Sequence, residues 1–427
     1  MKKTVLILYS DRYDASALAL KDYLEEDGRY DIIALDEKAY DGYGFLNFYN
    51  NLYKLTYRKF PSLNNVVVNL PTAEVKHNKD SDGNEVTFKP DGEFNQRRRK
   101  FDNIAMRFDA DYVVCTSQYT IRKAVIAKEK YRLQGKIFAL LTDFALQDNF
   151  TNHYLDGYFV VTQRTKNALV QKGIDEKNIF IINMPLPIPA PIKRTQEEVR
   201  KQFDIRNDLP VVVIVGGKYG SKYIYDTIKS VSDMEGYNFL AILNGNAAIE
   251  KKFLRWAKKN SVSNNIYFVK SRGELNKAYY IADCVISSPA TVMCYQSILK
   301  KIPLILMDSA NNVERKNSKY LLSGGFAYSG INRKRIDIAF DKISREREVW
   351  AQVCERFFKD NGCEQFVKCL DLIDEGRDPN EEYLNYVEEV EDNDQPDDDA
   401  VEDQPIKEEK KSKTKVKKKF FFNKNKK

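Results

Sequence analysis

The feature of this sequence that most constrains its fold is an alternation of short apolar runs, rich in β-branched residues, with longer amphipathic stretches. Such runs, separated by helical periodicity, are typical of parallel sheets with crossover helices, so we expect an α/β protein. In the first half of the chain, strands are predicted at 4–9, 31–35, 111–116, 136–142, 157–162 and 178–183, and helices at 15–26, 119–131 and 165–172. In the second half, strands are predicted at 211–215, 239–243, 266–269, 284–287 and 303–307, with helices that begin near 222, 248, 275, 292 and 313.

The length of the chain indicates more than one domain. The chain has 427 residues, whereas domains usually contain about 100 to 200 residues. Four prolines fall within residues 185–191, and proline both fixes φ and lacks the backbone N–H, so this segment is predicted to be a stiff linker. We therefore expect a first doubly wound domain over 1–190, a second over 191–345, and C-terminal helices over 346–377.

The composition argues against a membrane-spanning or secreted protein. No apolar run approaches the roughly 20 residues that a membrane-spanning helix needs, and Ser10 and Asp11 end the first apolar run too early for a signal peptide. The six cysteines lack C-x-x-C spacing, so we expect core thiols in a reducing cytoplasm. Because only His77 and His153 are present, we expect no metal site.

Two stretches of the first half do not fit the alternation. Residues 45–60 form a helix-compatible run that is dense in aromatic and basic side chains. This pattern suits a helix at a membrane interface, and it equally suits an ordinary core-facing helix. Residues 62–96 have polar turn chemistry and precede a basic run at 97–100, so the insertion 62–100 is predicted to be a loop or hairpin, without an assigned function.

The C-terminal tail is strongly partitioned in charge, although the net charge of the chain is only +7. Residues 378–409 carry 15 acidic side chains and one lysine, whereas residues 410–427 carry ten lysines and no acid. The acidic part lacks the apolar groups of a core and is predicted to be disordered. The basic tip joins lysines to adjacent phenylalanines and is predicted to bind an anionic membrane surface through Lys417, Lys418, Lys419, Phe420, Phe421 and Phe422. A nucleic-acid partner is disfavoured because the tip contains no arginine.

A glycine-rich turn marks the start of the second domain's site. Gly216, Gly217 and Gly220 follow a predicted strand and precede a predicted helix, an arrangement in which backbone amides can face a diphosphate. Together with this turn, the segments 142–144, 155–160, 183–186, 282–291, 302–306, 314–317 and 324–327 resemble the monogalactosyldiacylglycerol synthases and processive diacylglycerol glucosyltransferases. That resemblance implies the GT-B fold, in which two Rossmann-like domains face a cleft.

The resemblance also implies which residues bind substrate. On the donor side they are Gly216, Gly217, Gly220, Ser287, Ser288, Pro289, Ala290, Thr291, Gln296, Glu314 and Asn317. Gln147 and Phe150 are expected on the acceptor, or lipid, side. Several positions depart from the family pattern: Tyr13 stands where the family has a histidine that serves or organises the general base, Ala290 and Thr291 replace two glycines, and Gln296 replaces a glutamate.

The expected reaction is an inverting transfer of a hexose from a UDP-sugar to a diacylglycerol-type lipid, without a metal or other cofactor. The base is expected among Asp11, Asp14 and Asp143, since the pKa of an ordinary tyrosine such as Tyr13, near 10, makes it a poor base at neutral pH. The enzyme would lie on the inner face of the plasma membrane. Two alternatives remain open. One is a degenerate member that binds without turnover, and the other is a GT-B enzyme with another acceptor or an epimerase activity.

Overall fold

A computed structural model of the chain contains two parallel sheets of six strands each and one two-stranded hairpin. The structure describes residues 2–37, 39, 43–69, 78–79, 85–86, 109–129, 133–147, 150–187, 191–244, 246–260, 265–269, 272–355 and 361–383. The expectation of two doubly wound sheets with the GT-B arrangement is confirmed. The predicted membrane residues 417–422 lie outside the described residues, as does most of the predicted disordered tail.

The first sheet has the strand order β2-β1-β5-β6-β7-β8. Its strands are β1 Lys3–Tyr9, β2 Tyr30–Asp36, β5 Tyr112–Cys115, β6 Lys136–Leu141, β7 Gly157–Val160 and β8 Ile179–Ile181, while β3 Asn78–Lys79 and β4 Glu85–Val86 form the hairpin. All of the first sheet's pairings are parallel. The order reverses between β1 and β5, so the loops after these two strands open a crevice at the carboxyl edge of the sheet.

The second sheet repeats this plan with the order β11-β10-β9-β12-β13-β14. Its strands are β9 Val211–Val215, β10 Asn238–Ile242, β11 Ile266–Val269, β12 Cys284–Ser287, β13 Leu304–Leu306 and β14 Tyr328–Ser329. The order reverses between β9 and β12, which places the glycine turn after β9 beside the loop after β12. The central strand β9 is buried at all five positions, as expected for a strand covered on both faces.

The helices fill the crossovers between these strands. They are α1 Asp14–Asp27, α2 Tyr43–Lys59, α3 Pro61–Asn69, α4 Gln118–Glu129, α5 Gln163–Gln171, α6 Gln196–Gln202, α7 Tyr223–Val231, α8 Ala248–Lys259, α9 Leu275–Ile281, α10 Thr291–Leu299, α11 Asn312–Ser323, α12 Arg333–Glu355, α13 Gly362–Asp374 and α14 Pro379–Glu382. Among the described residues, no helix is long and apolar enough to cross a membrane.

Most predicted elements are confirmed to within two residues, but three details differ. Residues 62–69 were expected in a loop or hairpin and instead form most of α3, because Pro61 suits the first turn of a helix and Asn64 and Val67, three residues apart on one side of that helix, are buried. The two-residue strand β14 is too short to leave a periodic pattern. Residues 379–382 form α14, within the stretch predicted to be disordered, because Asp378 caps the helix and Pro379 starts it.

The cysteine prediction is confirmed in its structural part, since all six thiols are free and buried. Cys363 and Cys369 belong to α13, which packs on the first sheet although the second sheet precedes it in the chain. A Cβ on Gly362 would lie 2.0 Å from the Asn183 carbonyl oxygen, so only glycine permits this close approach. Further along α13, the Phe366 ring centroid lies 4.4 Å from that of Phe159 in the first sheet.

Phe366→Ala tests whether α13 completes the first domain. Phe366 is fully buried, and removing a buried phenylalanine ring costs about 3 to 5 kcal/mol of unfolding free energy. The control Glu364→Ala, at an exposed position of the same helix, is expected to cost less than about 1 kcal/mol. Urea unfolding followed by circular dichroism gives both values. Equal costs for the two variants would show that α13 does not support the sheet.

Candidate functional site

The carboxyl edges of the two sheets border a common cleft. The residues that line it come from the loop after β1, helix α2, the glycine turn, the β12–α10 loop and the start of α11, and they include Arg12, Tyr13, Asp14, Tyr53, Tyr57, Thr142, Asp143, Lys218, Tyr219, Pro289, Ala290, Thr291, Asn311, Val313, Glu314 and Asn317. A cavity of about 90 Å³ remains between these residues.

Asp143 lies at the centre of the contact between the two halves. Its Oδ2 accepts hydrogen bonds from the Tyr13 hydroxyl at 3.1 Å and from the Gln147 side-chain amide, both in the first half. Its Oδ1 accepts from the Thr291 hydroxyl at 2.7 Å and from the Asn317 amide at 3.2 Å, both in the second half. Each oxygen therefore serves one half of the molecule, and the carboxylate bridges them.

Tyr13 completes the first-half side of this bridge. Burial, together with the nearby Asp143, raises the pKa of Tyr13 far above its ordinary value, although Arg12 opposes the shift. The phenol therefore stays protonated and acts as a donor to Asp143, while its oxygen accepts from Gln147 at 2.7 Å. The Phe150 ring meets the Tyr13 ring edge-on with centroids 6.2 Å apart. Gln147 and Phe150 thus lie beside Asp143 in a small adjoining pocket.

Asp11 and Asp14 are held by a lysine of the second half. Lys218 Nζ contacts the Asp14 carboxylate and lies 3.2 Å from Asp11 Oδ1. The Tyr219 hydroxyl donates to Asp11 Oδ2 at 2.9 Å, and Lys54 Nζ lies 3.2 Å from the same oxygen. Burial alone would raise the pKa of Asp11, but Lys218, Tyr219 and Lys54 together lower it to about 2. Asp11 therefore has little affinity for a proton at neutral pH.

The glycine turn after β9 requires glycine at each predicted position. A Cβ on Gly216 would lie 2.5 Å from the Ile224 side chain. Gly217 and Gly220 have φ of +66° and +71°, in the left-handed region that favours glycine, and a Cβ on Gly220 would also lie 2.4 Å from the Leu243 carbonyl oxygen. The turn is thus held close against α7 and β10, with its outer side toward the cleft.

The β12–α10 loop brings most of its predicted residues to the cleft. Ser287 and Ser288 are fully buried, and Ser288 Oγ lies 3.4 Å from the Tyr57 hydroxyl. Pro289 and Ala290 line the cavity just before α10 begins at Thr291. Gln296 lies further along α10, is only partly buried, and is not among the described residues that line the cavity. The loop therefore faces the cleft with its backbone and the first turn of the helix, while the structure places Gln296 apart from it.

Glu314 is a buried carboxyl group in the second half of the cleft. Its Oε1 accepts from the Tyr57 hydroxyl at 2.6 Å and its Oε2 accepts from the Ala310 N–H at 2.7 Å. Burial raises the pKa of Glu314 to about 7, although these two hydrogen bonds oppose the shift. Near neutral pH the side chain is therefore divided between its protonated and ionised forms.

The structure brings together most of the residues predicted from the sequence, and it adds others. Asp143, Tyr13, Thr291 and Asn317 form one hydrogen-bonded cluster. Sequence reasoning missed Tyr57, whose hydroxyl also lies 3.4 Å from the Gly216 carbonyl oxygen. Its aromatic and basic neighbours gave a helix signal, but nothing in a local pattern indicates that this helix reaches the second half. Arg12 and Lys218 were likewise missed as cleft residues.

Glu314→Gln is expected to alter the pH dependence of stability. The pKa of an exposed glutamate is near 4.5 and that of folded Glu314 is about 7, so the folded state binds the extra proton between these values. Stability therefore falls in this window as pH rises, by on the order of 3 kcal/mol. A neutral glutamine has no proton to lose, so this loss of stability does not occur in the variant. The variant's free energy of unfolding should therefore rise relative to that of the unmodified protein between pH 5 and about pH 7.5.

Urea unfolding at several pH values measures this difference, and the exposed Glu235→Gln is the control. The changed hydrogen bonding of a glutamine alters the free energy of unfolding by the same amount at every pH. The result to compare is therefore the slope of that free energy against pH. Parallel curves for Glu314→Gln and the unmodified protein would contradict the raised pKa.

Comparisons with known proteins agree with this fold and these motifs. The family model for monogalactosyldiacylglycerol (MGDG) synthase matches residues 85–186. The chain is 21% identical over 193 residues to the processive diacylglycerol beta-glucosyltransferase of Bacillus cytotoxicus, a match that covers 45% of this chain and 49% of that relative. The chain thus matches about half the length of this curated relative.

Solved structures show the same architecture at low sequence identity. MurG of Acinetobacter baumannii has a TM-score of 0.57 at 14% identity, with 86% of this chain and 99% of that chain covered. The UDP-GlcNAc 2-epimerase of Neisseria meningitidis, solved bound to UDP-GlcNAc, has a TM-score of 0.55 at 12% identity, with 86% and 99% covered. At these identities the likeness shows the fold alone. The protein therefore has the GT-B fold, and its sequence resembles that of the monogalactosyldiacylglycerol synthases and processive diacylglycerol glucosyltransferases.

Proposed function

We propose that this protein transfers a hexose from a UDP-sugar to the hydroxyl group of a diacylglycerol-type lipid, with inversion at the anomeric carbon. The cleft between the two sheets is the reaction site, in keeping with the rule that open α/β sheets bind ligands at the carboxyl ends of their strands. The relatives named above act on diacylglycerol or use the same architecture. The domain limits at residues 190 and 345 are part of this proposal, with the lipid on the first-domain side.

The donor binds to the second half. The diphosphate lies over the turn formed by Gly216, Gly217 and Gly220, once Tyr57 has left it, where the glycines add no side chain of their own and the N-terminus of α10 at Thr291 contributes its positive end. Ser288 and Ala290 border the same space. Glu314 and Asn317, on α11, face the hexose. When the bond between the anomeric carbon and the diphosphate breaks, these fixed dipoles stabilise the charge on the leaving group.

Asp143 is the general base, and one observation carries this assignment. Of the three candidate carboxylates, it alone lines both the donor cleft and the adjoining pocket of Leu141, Leu146 and Phe150. A lipid hydroxyl in that pocket lies within reach of Asp143, which takes its proton as the hydroxyl oxygen attacks the anomeric carbon. Asp11 and Asp14 are paired with Lys218, so they serve instead to join the two halves.

The chief alternative is a protein that binds the nucleotide without turnover. Two features favour it: Val313, whose side chain cannot hydrogen-bond a sugar hydroxyl, lines the cleft, and the Tyr57 hydroxyl covers the glycine turn. An epimerase with the same fold is the other alternative. Incubating the protein with UDP-glucose or UDP-galactose and diacylglycerol vesicles distinguishes them. Glycolipid formation supports the transferase, calorimetric UDP binding without any product supports the binding protein, and a changed sugar on UDP supports the epimerase.

Asp143→Asn tests the assigned base. Asparagine keeps the shape of the side chain but cannot take a proton, and its amide replaces one of the two accepting oxygens, so kcat is expected to fall by about 10²- to 10⁴-fold. Asp156→Asn is the matched control, because Asp156 accepts the Ile137 N–H at 2.7 Å away from the cleft and its loss affects stability alone. If Asp143→Asn keeps its full kcat, the assignment is wrong.

The lipid substrate requires the enzyme to work at a membrane surface, and we place it on the cytoplasmic face of the plasma membrane. The basic tip, with Lys417, Lys418 and Lys419 followed by Phe420, Phe421 and Phe422, supports this location. Lysines near an anionic leaflet contribute about 1 kcal/mol each. The aromatic rings add affinity by entering the interface.

Deletion of residues 410–427 is expected to weaken binding to vesicles that contain phosphatidylglycerol and to leave the activity on detergent-dispersed diacylglycerol unchanged. Flotation of the protein with vesicles at low and high salt measures the first effect, since screening weakens binding through lysines. If the truncated chain floats as well as the full chain, the tip is not an anchor.

A further inference from the structure

The inner face of α2 occupies the space over the glycine turn. Beyond its bond to Glu314, the Tyr57 hydroxyl approaches the turn so closely that a Cβ on Gly217 would lie only 2.7 Å from it. Tyr57 is 2% exposed, and Tyr53 stacks on it with ring centroids 5.9 Å apart. The place that the proposed function gives to the diphosphate and hexose is therefore filled by a phenol of the same chain.

Helix α3 adds a second contact at the donor side. The Asn65 side-chain oxygen accepts the Asn312 N–H at 2.6 Å, at the N-terminus of α11. Asn64 Oδ1 accepts from the Asn311 side chain at 2.9 Å. The α2–α3 pair (residues 43–69) thus satisfies polar groups that would otherwise face a donor sugar.

The outer face of the α2–α3 pair is apolar and exposed. Phe48, Leu55, Phe60 and Leu63 have 63%, 43%, 51% and 54% of their surface exposed. Phe48, Leu55 and the exposed Lys59 are spaced along one side of α2, at intervals of seven and four residues, opposite to the side that carries Tyr53 and Tyr57. One helix therefore closes the cleft with one face and presents an apolar surface with the other.

The charge of the segment identifies the occupant of that surface. Residues 43–69 contain three basic side chains, Lys54, Arg58 and Lys59, and no acidic one. A cationic helix with exposed Phe and Leu side chains has the chemistry of a segment that lies in the interface of an anionic bilayer. Lys59 is the exposed cation of the outer face, and residues 43–69 offer no acidic side chain to pair with it, which disfavours a second copy of the same face.

Two of these cations also hold the closed state. The Arg58 guanidinium donates to the Tyr219 carbonyl oxygen at 2.6 Å, and Lys54 Nζ lies 3.2 Å from the Asp11 carboxylate. Lipid phosphates compete for the same two side chains, and tyrosine rings are favoured at the membrane interface. The contacts that close the cleft and those that bind an anionic bilayer are therefore mutually exclusive.

We propose that the α2–α3 pair closes the nucleotide-sugar site through Tyr57 and that binding of its outer face to an anionic lipid bilayer withdraws it. The inference rests on the proposed function for the identity of the displaced ligand. If the open form is about a tenth of the population without lipid, the apparent affinity for UDP is reduced about tenfold. The enzyme would then take up its donor mainly at an anionic membrane surface.

The test measures UDP affinity by calorimetry for the full chain, with and without vesicles of phosphatidylcholine and phosphatidylglycerol. For the unmodified protein, vesicles are expected to tighten binding about tenfold. Tyr57→Ala should bind UDP about tenfold more tightly without vesicles and gain little from them. Tyr57→Phe, which loses only the hydroxyl, should shift in the same direction. The double variant Phe48→Ser and Leu55→Ser should bind like the unmodified protein alone and should not respond to vesicles.

Several results would overturn the proposal. If both Tyr57 variants bind UDP more weakly, Tyr57 contacts the nucleotide instead of displacing it. If vesicles leave the UDP affinity of the unmodified protein unchanged, the bilayer does not withdraw the α2–α3 pair. A dimer in sedimentation that the double variant abolishes would assign the outer face to a second copy. Tyr154→Ala, which alters an exposed tyrosine outside the cleft, is the control and should match the unmodified protein.

A second readout separates this proposal from the proposed function. Hydrogen exchange of residues 216–221 needs no nucleotide, and vesicles should speed exchange there in the unmodified protein but not in the double variant. If exchange responds in this way while no variant binds UDP, the closure is real and the donor assignment is wrong. If vesicles leave the exchange unchanged, the proposed opening is wrong whatever the donor is.

Discussion

The geometry of the cleft depends on the carboxylate of Asp143, which accepts hydrogen bonds from both halves of the molecule. Tyr13 and Gln147 approach one oxygen, and Thr291 and Asn317 approach the other. A buried carboxylate with donors on both sides is strongly stabilising when complete and costly when broken. Asn317 extends the bridge because its side-chain oxygen also accepts the Phe144 N–H at 3.1 Å, which fixes the loop that carries Asp143.

Ion pairs and hydrogen bonds cross the cleft beside stacked aromatic rings such as those of Phe144 and Tyr320, whose centroids lie 5.6 Å apart. Lys218 joins Asp11 and Asp14, and Tyr57 joins Glu314. Polar contacts between domains exchange with water or ligand at modest cost, unlike a large apolar interface. Under the proposed function the cleft opens for the donor and closes for the reaction, and these ion pairs and hydrogen bonds can break and form again between the two states. Opening of the cleft would expose Glu314 to solvent and lower its pKa, because burial is what raises that pKa to about 7.

Much of the fold follows from local patterns in the sequence. The run Val211–Val215 is a strand with the predicted limits, because five consecutive apolar residues between turn signals have few alternatives. The glycine turn also follows from the sequence, since Gly217 and Gly220 adopt positive φ values. Contacts between distant elements do not follow in this way. Tyr57 and Glu314 are 257 residues apart, and Asp11 and Lys218 are 207 apart, so neither pair leaves a periodic signal. Helix α13 packs on the first sheet although the second sheet precedes it in the chain, and no local sequence pattern predicts this contact.

If the cleft binds a nucleotide-sugar over the glycine turn, Tyr57 has to leave this place. A crystal structure of the full chain with UDP, grown in a lipid bicelle or detergent, is the decisive measurement. We expect the diphosphate beside Gly216, Gly217 and the first turn of α10, with the Tyr57 hydroxyl no longer on Glu314. UDP bound at another surface, or bound in the cleft while Tyr57 still contacts Glu314, would contradict it.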